Sequence, residues 1–384
     1  MSSEQSTVSP PSLVTSKSSS FETFFSLFSA LVLLYFFLVG VKCLSGGLKL
    51  MGDDFARTLF DVTANPMSAF MAGLLATVLF QSSSVTTSII VGLVSSGTLG
   101  VAGAIPMIMG ANLGTSVTNT LVSLGYVKNN INFKRAFAAA TVHDFFNILT
   151  VVIFLPLELM TGFIEKIATS LAQSLYGSAV GGGFSSPIKA AIKPVTGFIK
   201  YEAIELFGQA SAGIAMVALA AIIIVAALSL IVRVMGRLVA AKEGHILDKI
   251  FSKNPYVAVF FGIVSTIAAQ SSSITTALLI PLAGSGLLTV HSVYPVTVGA
   301  NIGTTATALL AAMTGNLAGL AIALVHLVFN LLGTFVFFVL PFMRFLPVRC
   351  AELLASSIDK TKFVGLAYVA VMFFILPLTF IYFS

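Results

Sequence analysis

The sequence predicts an all-α polytopic membrane protein made of two inverted-topology repeats, each with a re-entrant helical hairpin, plus one extra C-terminal span. Three observations predict it. The chain is 57% hydrophobic and only 9% charged, against about 25% charged in a soluble domain. No Asp, Glu, Lys or Arg occurs between Asp61 and Lys128, or between Lys253 and Arg344. Inside those charge-free stretches stand two nearly identical polar runs, Gln81-Ser82-Ser83-Ser84-Val85-Thr86-Thr87 and Gln270-Ser271-Ser272-Ser273-Ile274-Thr275-Thr276. The stretches exceed the ~20 apolar residues of one spanning helix, and the alternating pattern of a membrane barrel is absent.

The elements follow in order. Residues 1–22 are Ser-rich and polar and are expected to form a disordered cytoplasmic tail, with no cleavable signal peptide. The first repeat, 23–160, opens with an apolar run at 24–44. Its hairpin, 65–98, starts at Asn65-Pro66. From Pro66 to the polar run is ~22 Å of helix, short of the ~30 Å hydrocarbon core, so the tip is expected at mid-membrane. Runs at 101–124 and 136–160 complete the repeat. Residues 161–206, with Gly181-Gly182-Gly183, are expected to be a loose external linker with short surface helices. The second repeat, 207–343, holds a run at 207–232, a hairpin at 254–287, and runs at 290–314 and 317–342. Residues 344–384 supply a cytoplasmic loop and the extra span at 363–383.

The repeat is legible residue by residue. At an offset of 189, Asn65-Pro66 matches Asn254-Pro255, and Gly110-Ala111-Asn112-Leu113-Gly114-Thr115 matches Gly299-Ala300-Asn301-Ile302-Gly303-Thr304. From Asn65 to Thr118, 23 of 54 positions are identical, too many for shared apolarity alone. At an offset of 183, His143 and Asn147 match His326 and Asn330. Three full spans per repeat is an odd number and a hairpin returns to its own side, so the second repeat is expected to run upside down. Basic residues support a cytoplasmic N-terminus and an external C-terminus. They place Lys128, Lys134 and Arg135, then Arg233, Arg237, Lys242, Lys249 and Lys253, then Arg344, Arg349, Lys360 and Lys362 inside. Inverted repeats with broken helices are the architecture of secondary transporters.

Hydroxyls and amides packed this densely in hydrocarbon are costly unless they bind something. A helix N-terminus at such a tip favours an anion, whereas carbonyls and hydroxyls suit a hard cation such as Na⁺. The bland alternative is close helix packing with hydroxyls bonded back to carbonyls. It explains isolated Ser and Thr better than two seven-residue copies. The Gly-Ala-Asn-x-Gly-Thr pair is expected to interrupt the following span in each repeat. Asn112 and Asn301 there either cap a broken helix or coordinate an ion, or else sit in a tight helix crossing. His143, Asp144 and His326 are ionisable groups in apolar spans, with Asn147 and Asn330 one turn on. Both a proton relay and a structural hydrogen bond to the hairpin base fit them, and the latter is preferred. Asp144 has no counterpart, because Leu327 stands at the matching place.

Other classes are excluded by what is missing. The sequence holds no phosphate-binding Gly-rich loop, nucleophile elbow or Cys/His metal cluster, so no enzyme and no cofactor are expected. The excess of 20 Lys and Arg over 14 acids reads as topology signal and lipid attraction, not as a nucleic-acid surface. Cys43 and Cys350 cannot make a disulfide framework. A homo-oligomer is compatible with the chain.

The paired Gln-Ser-Ser-Ser and Gly-Ala-Asn-x-Gly-Thr motifs carry a family resemblance. So does Phe133-Lys134-Arg135-Ala136-Phe137 leading to Thr141-Val142-His143-Asp144-Phe145-Phe146-Asn147. From about Phe24 to Phe380 the chain resembles a type II sodium-dependent phosphate cotransporter. The resemblance implies symport of inorganic phosphate and Na⁺. It implies phosphate at Gln81, Ser82, Ser83, Ser84, Gln270, Ser271, Ser272 and Ser273. It implies Na⁺ near Ser83, Thr86, Thr87, Ser272, Thr275 and Thr276; the residue pattern adds Asn112, Thr115, Asn301 and Thr304 as candidate Na⁺ ligands, with His143, Asp144, Asn147, His326 and Asn330 in support. Unlike animal members, the chain has no glycosylation sequon and no pair of cysteines in the external loop, and it is shorter. That leads to the expectation of a bacterial inner-membrane protein. The competing readings are a Na⁺-coupled carrier of another oxyanion or a dicarboxylate, and a non-transporting phosphate sensor.

Overall fold

The computed structural model describes residues 20–180, 187–251, 254–359, 361 and 363–383. The tail through residue 19, the Gly181-Gly182-Gly183 run, Lys253, Lys360 and Lys362 lie outside them. All regular structure among the described residues is helical.

Helix α1 (Ser20–Thr63) is followed by two short helices, α2 (Pro66–Phe80) and α3 (Ser83–Ser96). Their boundaries are written locally. The Asn65 side chain accepts hydrogen bonds from the Met67 and Ser68 amides, and Pro66 takes the first helical position, where its missing N–H costs nothing. At the other end Gln81 turns left-handed (φ 52°, ψ 27°) and closes α2. Ser82 is extended and accepts from the Val85 amide, which opens α3. The second copy repeats this. Asn254 and Pro255 open α9 (Pro255–Ala269), and Gln270 (φ 53°, ψ 27°) ends it. Ser271 then caps α10 (Ser272–Ala277). One difference has a chemical cause. Where α3 runs on unbroken, the second arm splits into α10 and α11 (Leu279–Gly284), because Pro281 cannot donate to Ala277.

The third element also differs between copies. In the first, α4 (Val101–Gly114) and α5 (Val117–Leu124) are separated at Thr115-Ser116. In the second, α12 (Val290–Ala312) is continuous through Gly299-Ala300-Asn301. The expected interruption by the second Gly-Ala-Asn-x-Gly-Thr run is therefore corrected: its glycines serve close packing. A Cβ on Gly299 would overlap the carbonyl of Val259, and one on Gly110 would overlap that of Phe70. Helix α4 thus lies directly on α2, and α12 on α9.

Helix α6 (Asn130–Thr161) leads through left-handed Gly162 into α7 (Phe163–Val180). The expectation of a loose linker here is also corrected. Ile164, Ala168 and Ala172 are buried at helical spacing, α7 packs on α13, and Glu158 caps it by accepting from the Ile164 and Glu165 amides. Helix α8 (Pro187–Phe251) bends at Gly208 (φ 71°, ψ 162°) and lies along α1. The remaining helices are α13 (Leu317–Thr334), α14 (Leu346–Ser356), α15 (Phe363–Ala370) and α16 (Leu376–Phe383), with π-helical turns at Phe335–Val339 and Val371–Ile375.

Six segments among the described residues are long and apolar enough to cross a membrane: Phe24–Met51, Val101–Leu124, Asn130–Thr161, Ser211–Ile231, Leu317–Val339 and Phe363–Phe383. The seventh expected run, 290–314, is a 23-residue helix diluted by His291, Asn301 and several threonines. The protein is a multi-pass membrane protein, and its exposed residues fit that. Phe24, Leu31, Ile222, Phe260 and Phe363 face outward, as lipid contact allows. Phe133, Phe137, Phe146 and Phe329 fill the interior. The second arm of each short-helix pair crosses to the other copy: α3 packs on α12 and α13, and α11 on α6.

Candidate functional site

The exchange of arms brings polar residues from both copies to the centre. Gln81 and Gln270 are the only non-glycine residues with positive φ among the described residues. Left-handed geometry costs an L-residue about 1–2 kcal/mol. Each glutamine offsets part of that by donating from Nε2 to a carbonyl of its own helix, Val78 or Ile267, at 2.7 Å in both cases. Each Oε1 then accepts from a threonine hydroxyl, Thr118 to Gln81 at 3.0 Å and Thr307 to Gln270 at 3.1 Å. Thr307 also meets the other motif, because Ser84 Oγ donates to its hydroxyl at 3.5 Å. A single side chain therefore joins the two runs. On a second path Asn119 and Thr276 exchange hydrogen bonds at 2.8 and 3.0 Å, tying α5 to the second motif.

The other residues of the runs divide by what their hydroxyls do. Ser82 and Ser271 cap helices. Thr86 and Thr275 bond back to Ser82 and Ser271 carbonyls, and Thr87 to that of Ser84. Thr115 and Thr304 bond back to Ala111 and Ala300. Ser83 and Ser272 are buried, while Ser273 is half-buried.

Behind the runs lies a closed amide–imidazole cluster. Asn112 Nδ2 donates to Asn147 Oδ1 at 3.1 Å and to Asn330 Oδ1 at 2.9 Å. Asn301 Nδ2 donates to Asn147 Oδ1 at 2.6 Å. His143 Nε2 contacts Asn301 Oδ1 at 2.6 Å, and His326 Nε2 contacts Asn112 Oδ1 at 3.2 Å. Each histidine grips the asparagine of the other copy. Both Nδ1 atoms are buried without a partner, so each ring carries its proton on Nε2, facing the amide oxygen. The sequence expectation that the histidines bond the hairpin base is thus corrected, since they bond the asparagines of α4 and α12. Asp144 stands apart, accepting from the Tyr368 hydroxyl at 2.9 Å.

Thr118, Asn119, Thr307 and Tyr368 were absent from the sequence expectations. Thr118 and Thr307 match at the offset of 189, which is the signal that points to them. Tyr368 lies beyond the repeat and leaves no such trace.

The Na⁺/Pi-cotransporter family model matches residues 36–179 and 223–344. The chain belongs to the Na⁺/Pi-cotransporter family. It is 31% identical over 440 residues to the human sodium-dependent phosphate transport protein 2B, covering 90% of this chain and 63% of that protein. To the protein 2A of Rattus norvegicus it is 32% identical over 419 residues, covering 90% and 65%. The chain thus spans somewhat less than two thirds of these relatives. No solved structure matches it. These relatives are sodium-dependent phosphate transport proteins.

Proposed function

We propose that the chain is a secondary active symporter that takes up inorganic phosphate with Na⁺ by alternating access, its site formed between the two Gln-Ser-Ser-Ser tips. The observation that carries this reading is the Ser84–Thr307–Gln270 chain of hydrogen bonds, which draws both motifs together. In this reading the copies are inverted repeats, α2–α3 and α9–α11 are re-entrant hairpins, the N-terminus is cytoplasmic and the C-terminus external. Phosphate takes Gln81 to Ser84 and Gln270 to Ser273. Na⁺ takes the hydroxyl and carbonyl oxygens around Thr86, Thr87, Thr115, Thr275, Thr276 and Thr304. Asn112 and Asn301, whose amide oxygens face histidines, reach an ion only in a rearranged state.

The charge-free stretches explain the coupling. No Lys or Arg lies in either, so nothing fixed balances a dehydrated anion. A cation entering with phosphate removes that cost. Inverted halves supply two conformations of similar energy, which a transported pair of ligands can select. The test is uptake of labelled phosphate into proteoliposomes. An inward Na⁺ gradient is expected to drive accumulation, and equal uptake in choline buffer would overturn the reading.

A further inference from the structure

The Phe133-Lys134-Arg135-Ala136-Phe137 run takes no part in the site described above. Its two phenylalanines are fully buried, while its two cations line an open cavity of about 640 Å³. His291 at the start of α12 and Glu352 of α14 line the same cavity. His291 and Glu352 face each other, with Nδ1 3.8 Å from Oε1. Arg135 is exposed and has no ion pair or hydrogen bond among the described residues. Its guanidinium lies against Gly286, where φ is +82° and a Cβ would come within 2.6 Å of Nη1. Glycine both takes that turn freely and leaves the guanidinium its place.

An unpartnered guanidinium fork matches a phosphate ester in shape and charge. Helices α6 and α12 begin at this cavity, since Asn130 and Val290 line it, and their positive dipole ends add to the same field. The rim is apolar. Ile131 lines the cavity and is 64% exposed. Leu287 and Leu353, next in sequence to the lining residues Gly286 and Glu352, are 73% and 69% exposed. A cationic floor under an exposed apolar rim fits an anion that carries its own hydrocarbon.

We propose that this cavity binds the headgroup of an anionic phospholipid, with Arg135 holding the phosphate and Lys134 and His291 beside it. Basic pockets between spanning helices on the cytoplasmic side suit such headgroups. The placement on that side rests on the orientation proposed above, whereas the binding itself does not. A lipid seated here touches α6, the turn between α11 and α12, and α14 at once. Helix α11 already packs on α6, so an occupied cavity steadies the second arm of the second short-helix pair.

The test is native mass spectrometry of the purified full chain in micelles holding equal amounts of phosphatidylglycerol and phosphatidylcholine, without Na⁺. The parent is expected to retain one phosphatidylglycerol in preference to phosphatidylcholine. Arg135→Gln is expected to lower that preference about fivefold. Glu352→Gln, which removes a carboxylate from the cavity wall, is expected to raise it. Both side chains are exposed, so neither change disturbs the interior. Equal retention of the two lipids by the parent, or an unchanged preference in either variant, would overturn the proposal. Displacement of the lipid by excess inorganic phosphate would overturn it too, by making the cavity a site for the free anion. Each of these failures would leave the symport reading standing, because Na⁺-driven uptake is measured separately in proteoliposomes.

Discussion

His143 Nε2 lies 2.6 Å from Asn301 Oδ1, although 158 residues separate them in the chain. The matched pair, His326 and Asn112, closes at 3.2 Å. Each copy of the repeat therefore supplies the donor for the other's asparagine, and Asn147 accepts from both asparagines. A closed network of this kind stabilises one packing of the two halves and leaves costly orphans when a member is removed.

His143→Ala and Asn301→Ala are each expected to destabilise the protein by about 1–3 kcal/mol. The double variant should cost less than the sum, with a coupling of about 0.5–3 kcal/mol. Denaturant titration of the purified protein in mixed micelles measures this. Additive losses would show that the pair acts separately.

Gln81→Gly separates the side chain from the backbone it distorts. Glycine adopts φ 52° freely, so the variant relieves about 1 kcal/mol of left-handed strain while losing the bonds to Val78 and Thr118. The expected outcome is a thermal midpoint near the parent's and phosphate uptake close to background. Parent-like uptake would show that the amide is a turn residue only.

Ser84→Ala, Ser273→Ala and Thr307→Val address the joined tips. Each is expected to cut Na⁺-dependent phosphate uptake about five- to 150-fold, as about 1–3 kcal/mol per unsatisfied polar partner implies, with normal membrane insertion. Thr307 serves both motifs, so its variant should raise the phosphate and Na⁺ requirements together. Normal transport by any one of the three would remove that position from the shared site.

Gly110→Ala and Gly299→Ala test the helix crossings. The added methyl overlaps the Phe70 or Val259 carbonyl, a backbone atom that cannot move aside alone. Overpacking of this kind costs about 1–3 kcal/mol, and both variants should unfold at lower temperature. The effect should be similar in the two copies, because the contacts are the same.

Much of the fold was legible because its punctuation is local. Asn65-Pro66 and Asn254-Pro255 cap and start helices wherever they occur, and Ser82 and Ser271 restart them after a glutamine. The difference between the copies at α12 was not legible, since the same Gly-Ala-Asn-x-Gly-Thr string fits a broken helix or a tight crossing. Only the carbonyl facing Gly299 decides between them. That α7 packs inward rather than lying loose on the surface was written in the spacing of Ile164, Ala168 and Ala172 but masked by the polar residues around them. In the site, duplication exposed the motif residues, His143, His326 and the four asparagines. The pairing of histidine with the asparagine of the opposite copy depends on how the halves dock, which no spacing records. The Tyr368–Asp144 contact joins a single-copy helix to a single-copy acid and lies outside any pattern of repetition.

If the two motifs are inverted halves of one moving site, their tips open to opposite sides of the membrane in turn. Cys43 and Cys350 are the chain's only thiols, so a background without them permits single-cysteine labelling at Ser82 or Ser271 in sealed vesicles. Ser82→Cys is expected to react best from outside and Ser271→Cys best from inside, with Na⁺ and phosphate changing both rates. Labelling of both positions from one side, at rates indifferent to Na⁺ and phosphate, would contradict the inverted arrangement.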